Sequence, residues 1–166
     1  MTIKKGDRLP DATLYEMGES GVETRRVSAL TNGRRVVIFG LPGAFTPTCS
    51  ARHVPGYVEQ WGAFKEKGID DIICVSVNDA YVMNAWAKSQ GTEGKVRMLA
   101  DGSAEFTRAL GLQQDLSTRG MGVRSQRYAL YADNGVVQVL SVEPPGKFEV
   151  SDANSMLIAL DKLERG

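Results

Sequence analysis

Cysteine and histidine are scarce in this chain, with two of the former and one of the latter among 166 residues. So few thiols and imidazoles exclude a disulfide-dense secreted scaffold, and their positions give no metal-ligand spacing. Net charge is missing as well, because 20 basic and 20 acidic side chains cancel. A balanced chain argues against nucleic acid or an anionic membrane surface as the main partner. No apolar run approaches the 18 or so residues needed to cross a bilayer. The opening residues, MTIKKGDRLP, place Lys4 and Lys5 ahead of no apolar stretch. That predicts no secretory signal and, with so few thiols, a reducing compartment, the cytoplasm. The length suits one domain with a full core, residues 1–166.

The chemistry that is present concentrates in residues 36–50, VVIFGLPGAFTPTCS. A β-branched run over 36–39 stops at Gly40, a loop rich in glycine and proline follows, and Cys49 lands where a helical pattern begins. The first turn of a helix offers unpaired N–H groups and the positive end of the dipole, both of which favour an anion. Free cysteine titrates near about 8.5, whereas thiols at helix N-termini beside a cation titrate at roughly 3.5–7.5. Thr46 stands three residues upstream and can offer its hydroxyl to the sulfur, while Pro42 and Pro47 stiffen the loop. A solitary cysteine is more often a small core residue than a nucleophile, so placement alone does not decide its role.

The string PGAFTPTC over 42–49 resembles the PxxxTxxC active-site motif of peroxiredoxins, closest to the atypical type II subfamily. Further segments are similar to that family: HVPG from His53, CVSVNDA from Cys74, GKVR from Gly94, the Arg127-Tyr128 pair, and VEP from Val142. The likeness extends over nearly the whole chain.

Along the chain, alternating runs at 12–17 and 22–27 joined by GESG predict a hairpin, and 28–31 a brief turn. Strand 36–39 leads through the loop to a helical pattern over 49–67, with Val54, Tyr57, Val58, Trp61 and Phe64 near one face. Pro55 lies inside it and predicts a kink or break after the first two turns. The run 71–77 reads as a second buried strand, which makes a βαβ unit with parallel strands and a right-handed crossover. A helix capped by Asn78 or Asp79 would turn Tyr81, Val82, Ala85 and Trp86 inward and end by Gly91. A strand at 96–99, a helix at 103–110 and a polar loop at 112–122 follow. Strands 127–132 and 136–142 flank Asp133-Asn134-Gly135, a strong hairpin signal, and a last helix spans 152–163. The expected fold is α/β: a thioredoxin-like mixed sheet flanked by helices, with an N-terminal β-hairpin extension. In such sheets the reactive crevice lies at the carboxyl ends of the parallel strands, which Cys49 follows directly.

A thiolate stable at neutral pH needs a cation, and by position Arg124 and Arg127 are both candidates. The family's arginine stands just before an aromatic residue opening the hairpin strand, so the resemblance favours Arg127. It implies a thiol peroxidase in which Cys49 attacks a peroxide, Thr46 and nearby N–H groups orient it, Arg127 holds thiolate and peroxide, and Pro42 shields the sulfur. It further implies no metal or other cofactor, hydrogen peroxide and small alkyl hydroperoxides as substrates, and a homodimer to which Phe45 and Trp86 contribute. Where some members carry a C-terminal resolving cysteine, this chain has Ser151, so the remaining candidate resolving thiol is Cys74. Cys74 sits about 10 Å from the carboxyl end of its strand, and a disulfide needs Cα atoms within about 7 Å. Joining it to Cys49 would require the first helical turns to unwind. Otherwise an outside thiol must act, either glutathione with glutaredoxin or thioredoxin. His53, one turn beyond Cys49, is expected to make a local polar contact rather than serve as a protease-like base. The competing functions are a peroxide-sensing redox switch or partner-binding thioredoxin-like module that uses Cys49 oxidation as a signal, and a thioredoxin-like scaffold whose cysteine is inert.

Overall fold

The computed structural model describes residues 2–165. Strands β1 (Thr13–Gly18) and β2 (Gly21–Arg26) form the expected antiparallel hairpin. Where a turn was expected, residues Val27–Thr31 form a short helix, α1, that buries Val27 and Leu30. Strand β3 (Arg35–Leu41) pairs in parallel with β4 (Asp71–Ser76), setting Phe39 opposite Cys74.

The crossover between them is helical from Pro47 onward. Its first full turn, Cys49–His53, is a widened π-helical turn closed by the Val54 amide on the Cys49 carbonyl. Helix α2 (Val54–Glu59) and helix α3 (Trp61–Glu66) follow. The break falls at Gln60, with φ −93° and ψ 6°, and not at Pro55. The widened turn explains this, because it puts Pro55 in the first turn of a new α-segment, where a missing N–H costs no ladder bond. Val54, Tyr57 and Phe64 are buried, and Val58 and Trp61 pack against them, as the apolar spacing predicts.

Helix α4 (Ala80–Gln90) is capped by the Asp79 carboxylate, which accepts from the Val82 amide at 2.8 Å, and it ends at left-handed Gly91. Its inward stripe is Ala80, Met83 and Trp86, which shifts the expected face: Tyr81 is 69% exposed and Ala85 also faces solvent. An exposed aromatic at the start of a helix misleads any reading by hydrophobicity. Strand β5 (Arg97–Ala100) extends the parallel set, and helix α5 (Glu105–Leu110) closes on Gly111. The expected loop 112–122 instead contributes β6 (Gln113–Asp115), which pairs with β7 (Val123–Ser125) in a separate ribbon. Polar, partly exposed residues carry no alternation by which so short a strand could be read. Strands β8 (Tyr128–Asp133) and β9 (Val136–Val142) flank Asn134 and Gly135, whose φ values of 51° and 79° fit a type I′ turn. Helix α6 (Ala153–Arg165) is the last element of the described residues.

The main sheet runs β2-β1-β5-β4-β3-β8-β9, with β3, β4 and β5 parallel and β8 antiparallel to β3. Alternation along the strands divides the core into two layers. Val37, Phe39, Leu41, Ile72 and Cys74 face α2, α3, α4 and α6. Val36, Ile38, Ile73 and Val75 face α1 and α5. This is the thioredoxin-like α/β fold with its hairpin extension. It brings the loop after β3, the N-terminal end of the crossover helix and the start of β8 to one end of the sheet.

Candidate active site

The loop that leaves β3 is held from several sides. The carbonyl of Pro42 accepts from Arg124 Nη1 at 3.3 Å, and Arg124 Nε also donates to the Met121 carbonyl at 2.9 Å. Gly43 lets this arginine approach closely, since a Cβ there would come within 2.8 Å of Arg124 Nη1 and push the guanidinium aside. The Ala44 amide donates to Asn78 Oδ1 at 2.9 Å, so of the two expected cap residues Asp79 caps α4 and Asn78 braces the loop. Phe45 takes a left-handed φ of 63°, which turns the chain into the helix. The first helical bond runs from the Ser50 amide to the Thr46 carbonyl at 3.0 Å. The amides of Thr48 and Cys49 therefore stand ahead of the helical ladder, where an anion is favoured.

Cys49 lies in this first turn, fully buried, and its Sγ accepts from Arg127 Nη2 at 3.1 Å. Arg127 is the residue just before β8, and β8 lies directly against β3. That adjacency delivers the guanidinium to the sulfur, whereas Arg124, in the β6–β7 ribbon, reaches only the loop carbonyls. The other terminal nitrogen, Arg127 Nη1, bonds His53 Nδ1 at 2.9 Å, and His53 Nε2 bonds the Ser151 carbonyl at 3.1 Å. A guanidinium only donates and a carbonyl only accepts, so His53 carries its proton on Nε2. Burial, with the charge of Arg127, pushes the His53 pKa down to about 3, which keeps the ring neutral and its Nδ1 lone pair available. The ring also packs on Phe39 with centroids 4.8 Å apart. His53 is thus a polar contact of the site's cation, a role that its position one turn after Cys49 hinted at but did not specify.

Thr46 departs from expectation. Its hydroxyl donates to the Gly43 carbonyl at 2.6 Å, leaving its oxygen as an acceptor instead of a donor to sulfur. Ser50, the neighbour of Cys49, accepts from the indole N–H of Trp86 at 3.0 Å, a tie between α4 and the turn bearing Cys49 that residue pattern gives no sign of. Trp86 is itself fully buried, which removes it from any surface for self-association, while Phe45 beside it is 55% exposed. Cys74 is fully buried in mid-strand within the same core layer as Cys49, and burial pushes its thiol well above the usual range. Both cysteines are free thiols.

Pro42, Thr46 and Arg127, the last of which bonds the Cys49 sulfur, line a cleft of about 700 Å³. Its walls include Leu116, Met121 and Phe148, with the basic side chains of Arg52, Arg119 and Lys147. A thiol in the first turn of a helix, paired with a guanidinium at the carboxyl end of parallel strands, defines a thioredoxin-fold thiol oxidoreductase.

Comparison with known proteins makes the assignment specific. The Redoxin family profile matches residues 4–157. The chloroplastic peroxiredoxin-2E-2 of Oryza sativa is 53% identical over 96% of this chain and 73% of its own length. Reduced Prx3 of Vibrio vulnificus in complex with hydrogen peroxide superposes with a TM-score of 0.93 at 51% identity, covering 96% of this chain and 99% of that one. A Burkholderia cenocepacia crystal structure described as a putative thioredoxin reductase gives 0.93 at 61% identity, covering 95% and 98%. The chain belongs to the redoxin family and is a type II peroxiredoxin, a thiol-dependent peroxidase. Among the described residues no helix is long and apolar enough to cross a membrane.

Proposed function

We propose that Cys49 is the peroxidatic residue and that Arg127, Thr46 and Pro42 complete its site for hydrogen peroxide and small alkyl hydroperoxides. The observation that carries this reading is the 3.1 Å contact between Arg127 Nη2 and Cys49 Sγ, which stabilises negative charge on sulfur. A hydroperoxide enters through the cleft and donates its O–H to the Thr46 oxygen, the acceptor left by the Gly43 contact. The thiolate attacks the terminal oxygen in line. The S–O bond forms as the O–O bond breaks, and the departing oxygen retains the electron pair and takes up the hydroperoxide's proton. Cys49 is left as a sulfenate and the product is an alcohol, or water from hydrogen peroxide. Arg127 and the early helical amides face the charge that develops on the oxygens.

Cys74 is read as a core thiol, not a resolving one. A thiol held protonated by burial is a poor nucleophile, and it lies in the middle of a paired strand. The reductant is then external. Because the sulfur is fully buried, a small thiol reaches it more readily than a folded protein does. The basic Arg52, Arg119 and Lys147 suit the carboxylates of glutathione, with glutaredoxin resolving the adduct and thioredoxin the less favoured alternative. Free thiols accord with a reducing compartment, for which we infer the cytoplasm, and the exposed Phe45 beside the loop supports a homodimer face.

Mass spectrometry of peroxide-treated protein with limiting glutathione tests this directly. The expected product is a single glutathione adduct on Cys49, with turnover lost more than about a thousandfold in Cys49→Ser and kept within about twofold in Cys74→Ala. An internal Cys49–Cys74 disulfide, or turnover abolished by Cys74→Ala with every reductant, would contradict it. Slow oxidation without turnover under any reductant would favour a redox switch.

A further inference from the structure

Behind the groups that touch the sulfur stands a buried carboxylate that the reaction does not use. Glu143 follows β9 and is 5% exposed. Its backbone amide donates to the carbonyl of Arg127 at 2.9 Å, so it pairs directly with the residue that bears the guanidinium. Its side chain turns inward to the loop returning toward α6. There it accepts from the amide of Glu149 at 2.9 Å, from the amides of Val150 and Ser151 at 2.8 Å each, and from the Ser151 hydroxyl at 2.8 Å. Burial alone would raise its pKa, but these four donors outweigh that and hold it below the usual carboxylate range. A carboxylate gathered this way locks the loop that surrounds it.

What that loop delivers is a backbone carbonyl. The oxygen of Ser151 takes the Nε2–H of His53 at 3.1 Å and the hydroxyl of Tyr57 at 2.8 Å. With Nε2–H so engaged, Nδ1 presents its lone pair to Arg127 Nη1 at 2.9 Å, and Nη2 is thereby turned to the sulfur at 3.1 Å. The same loop places the Phe148 ring against His53, with centroids 5.1 Å apart, and 5.8 Å from the Arg127 guanidinium carbon.

We propose that Glu143 is a positioning residue for the peroxidase reaction: by pinning the Ser151 carbonyl it fixes the His53 tautomer that aims Arg127 at Cys49. The inference rests on the reading of Arg127 as the cation of the site. Were Glu143 only a brace for its loop, its loss would lower melting temperature and leave the chemistry of folded protein unchanged.

The test is the second-order rate constant of Cys49 oxidation by hydrogen peroxide, read by stopped flow, with the pH profile of Cys49 alkylation by iodoacetamide. In Glu143→Gln the rate constant falls about tenfold, and the alkylation profile moves to higher pH. Glu143→Asp keeps the charge one methylene short, and its loss is smaller and in the same direction. It also carries the test if the glutamine variant does not fold. In an Arg127→Ala background, Glu143→Gln costs less than about twofold more, because nothing remains to be aimed. A wild-type rate and profile in either folded Glu143 variant overturns the inference, and so does a full additive loss in the Arg127→Ala background. If Arg127→Ala alone keeps the wild-type rate, the underlying reading of the site falls. If Arg127→Ala is slow and the Glu143 variants are not, only the positioning role does.

Discussion

Cys49 and Cys74 are both fully buried, and both belong to the core layer between the sheet and α2, α3, α4 and α6. One sits in the first turn of a helix with a guanidinium nitrogen 3.1 Å from its sulfur. The other sits in mid-strand opposite Phe39, and its thiol is pushed well above the ordinary range. Solvent exposure therefore does not separate the thiol proposed to react from the one proposed to stay inert. What separates them is which fixed charges and amides face the sulfur, and those come from chain segments far apart in sequence.

The comparison breaks most severely at Arg127. In Arg127→Ala, Cys49 keeps its burial and loses its cation, so it should come to behave like Cys74. Peroxide reduction is expected to fall roughly 100- to 1,000-fold, and alkylation at neutral pH to fall with it. Stopped-flow rates and iodoacetamide trapping read the two losses. Thr46→Val is a milder and more selective change, because the proposed reading gives the threonine oxygen to the peroxide and leaves the guanidinium with the sulfur. Its expected signature is a 10- to 100-fold slower reaction with hydrogen peroxide and nearly unchanged iodoacetamide alkylation, roughly what one lost polar contact is worth.

The smallest effect concerns stability. His53 titrates at about 3 in the folded protein and near its ordinary 6.5 when unfolded. Below pH 6.5 the unfolded chain takes up a proton that the native state refuses, so stability falls with pH down to about 3, by about 1.4 kcal/mol per unit. Glu143, held below the carboxylate range, stabilises above its unfolded pKa and loses that contribution only at more acid pH. The window from pH 6.5 to 5 thus isolates the imidazole. Urea denaturation there should cost the wild type about 2 kcal/mol more than His53→Gln, and parallel losses in the two proteins would refute the assignment.

Much of this was legible in the residue pattern. The uncharged strand, the proline-stiffened loop and the thiol at the helix start are local features, and so is the Asp133-Asn134-Gly135 turn. The choice between Arg124 and Arg127 was not. They stand three positions apart, yet one belongs to a two-stranded ribbon and the other directly precedes a strand of the main sheet. Hydrophobicity points to the wrong inward face of α4 because Tyr81 is aromatic and exposed while Ala80 is small and buried. The link from Ser151 to His53 spans 98 residues and uses a backbone carbonyl, which no side-chain pattern announces. Spacing alone offers the Thr46 proton to the sulfur, because the competing carbonyl of Gly43 depends on the turn that Phe45 makes with its left-handed φ.

The most direct measurement of the central claim is competitive alkylation of the two native thiols, quantified peptide by peptide by mass spectrometry at pH 7. The guanidinium-paired sulfur should be modified at least about 100-fold faster than the strand thiol, and Arg127→Ala should remove most of that gap. Equal labelling of Cys49 and Cys74 in the native protein, or a gap that survives the loss of the arginine, would contradict it.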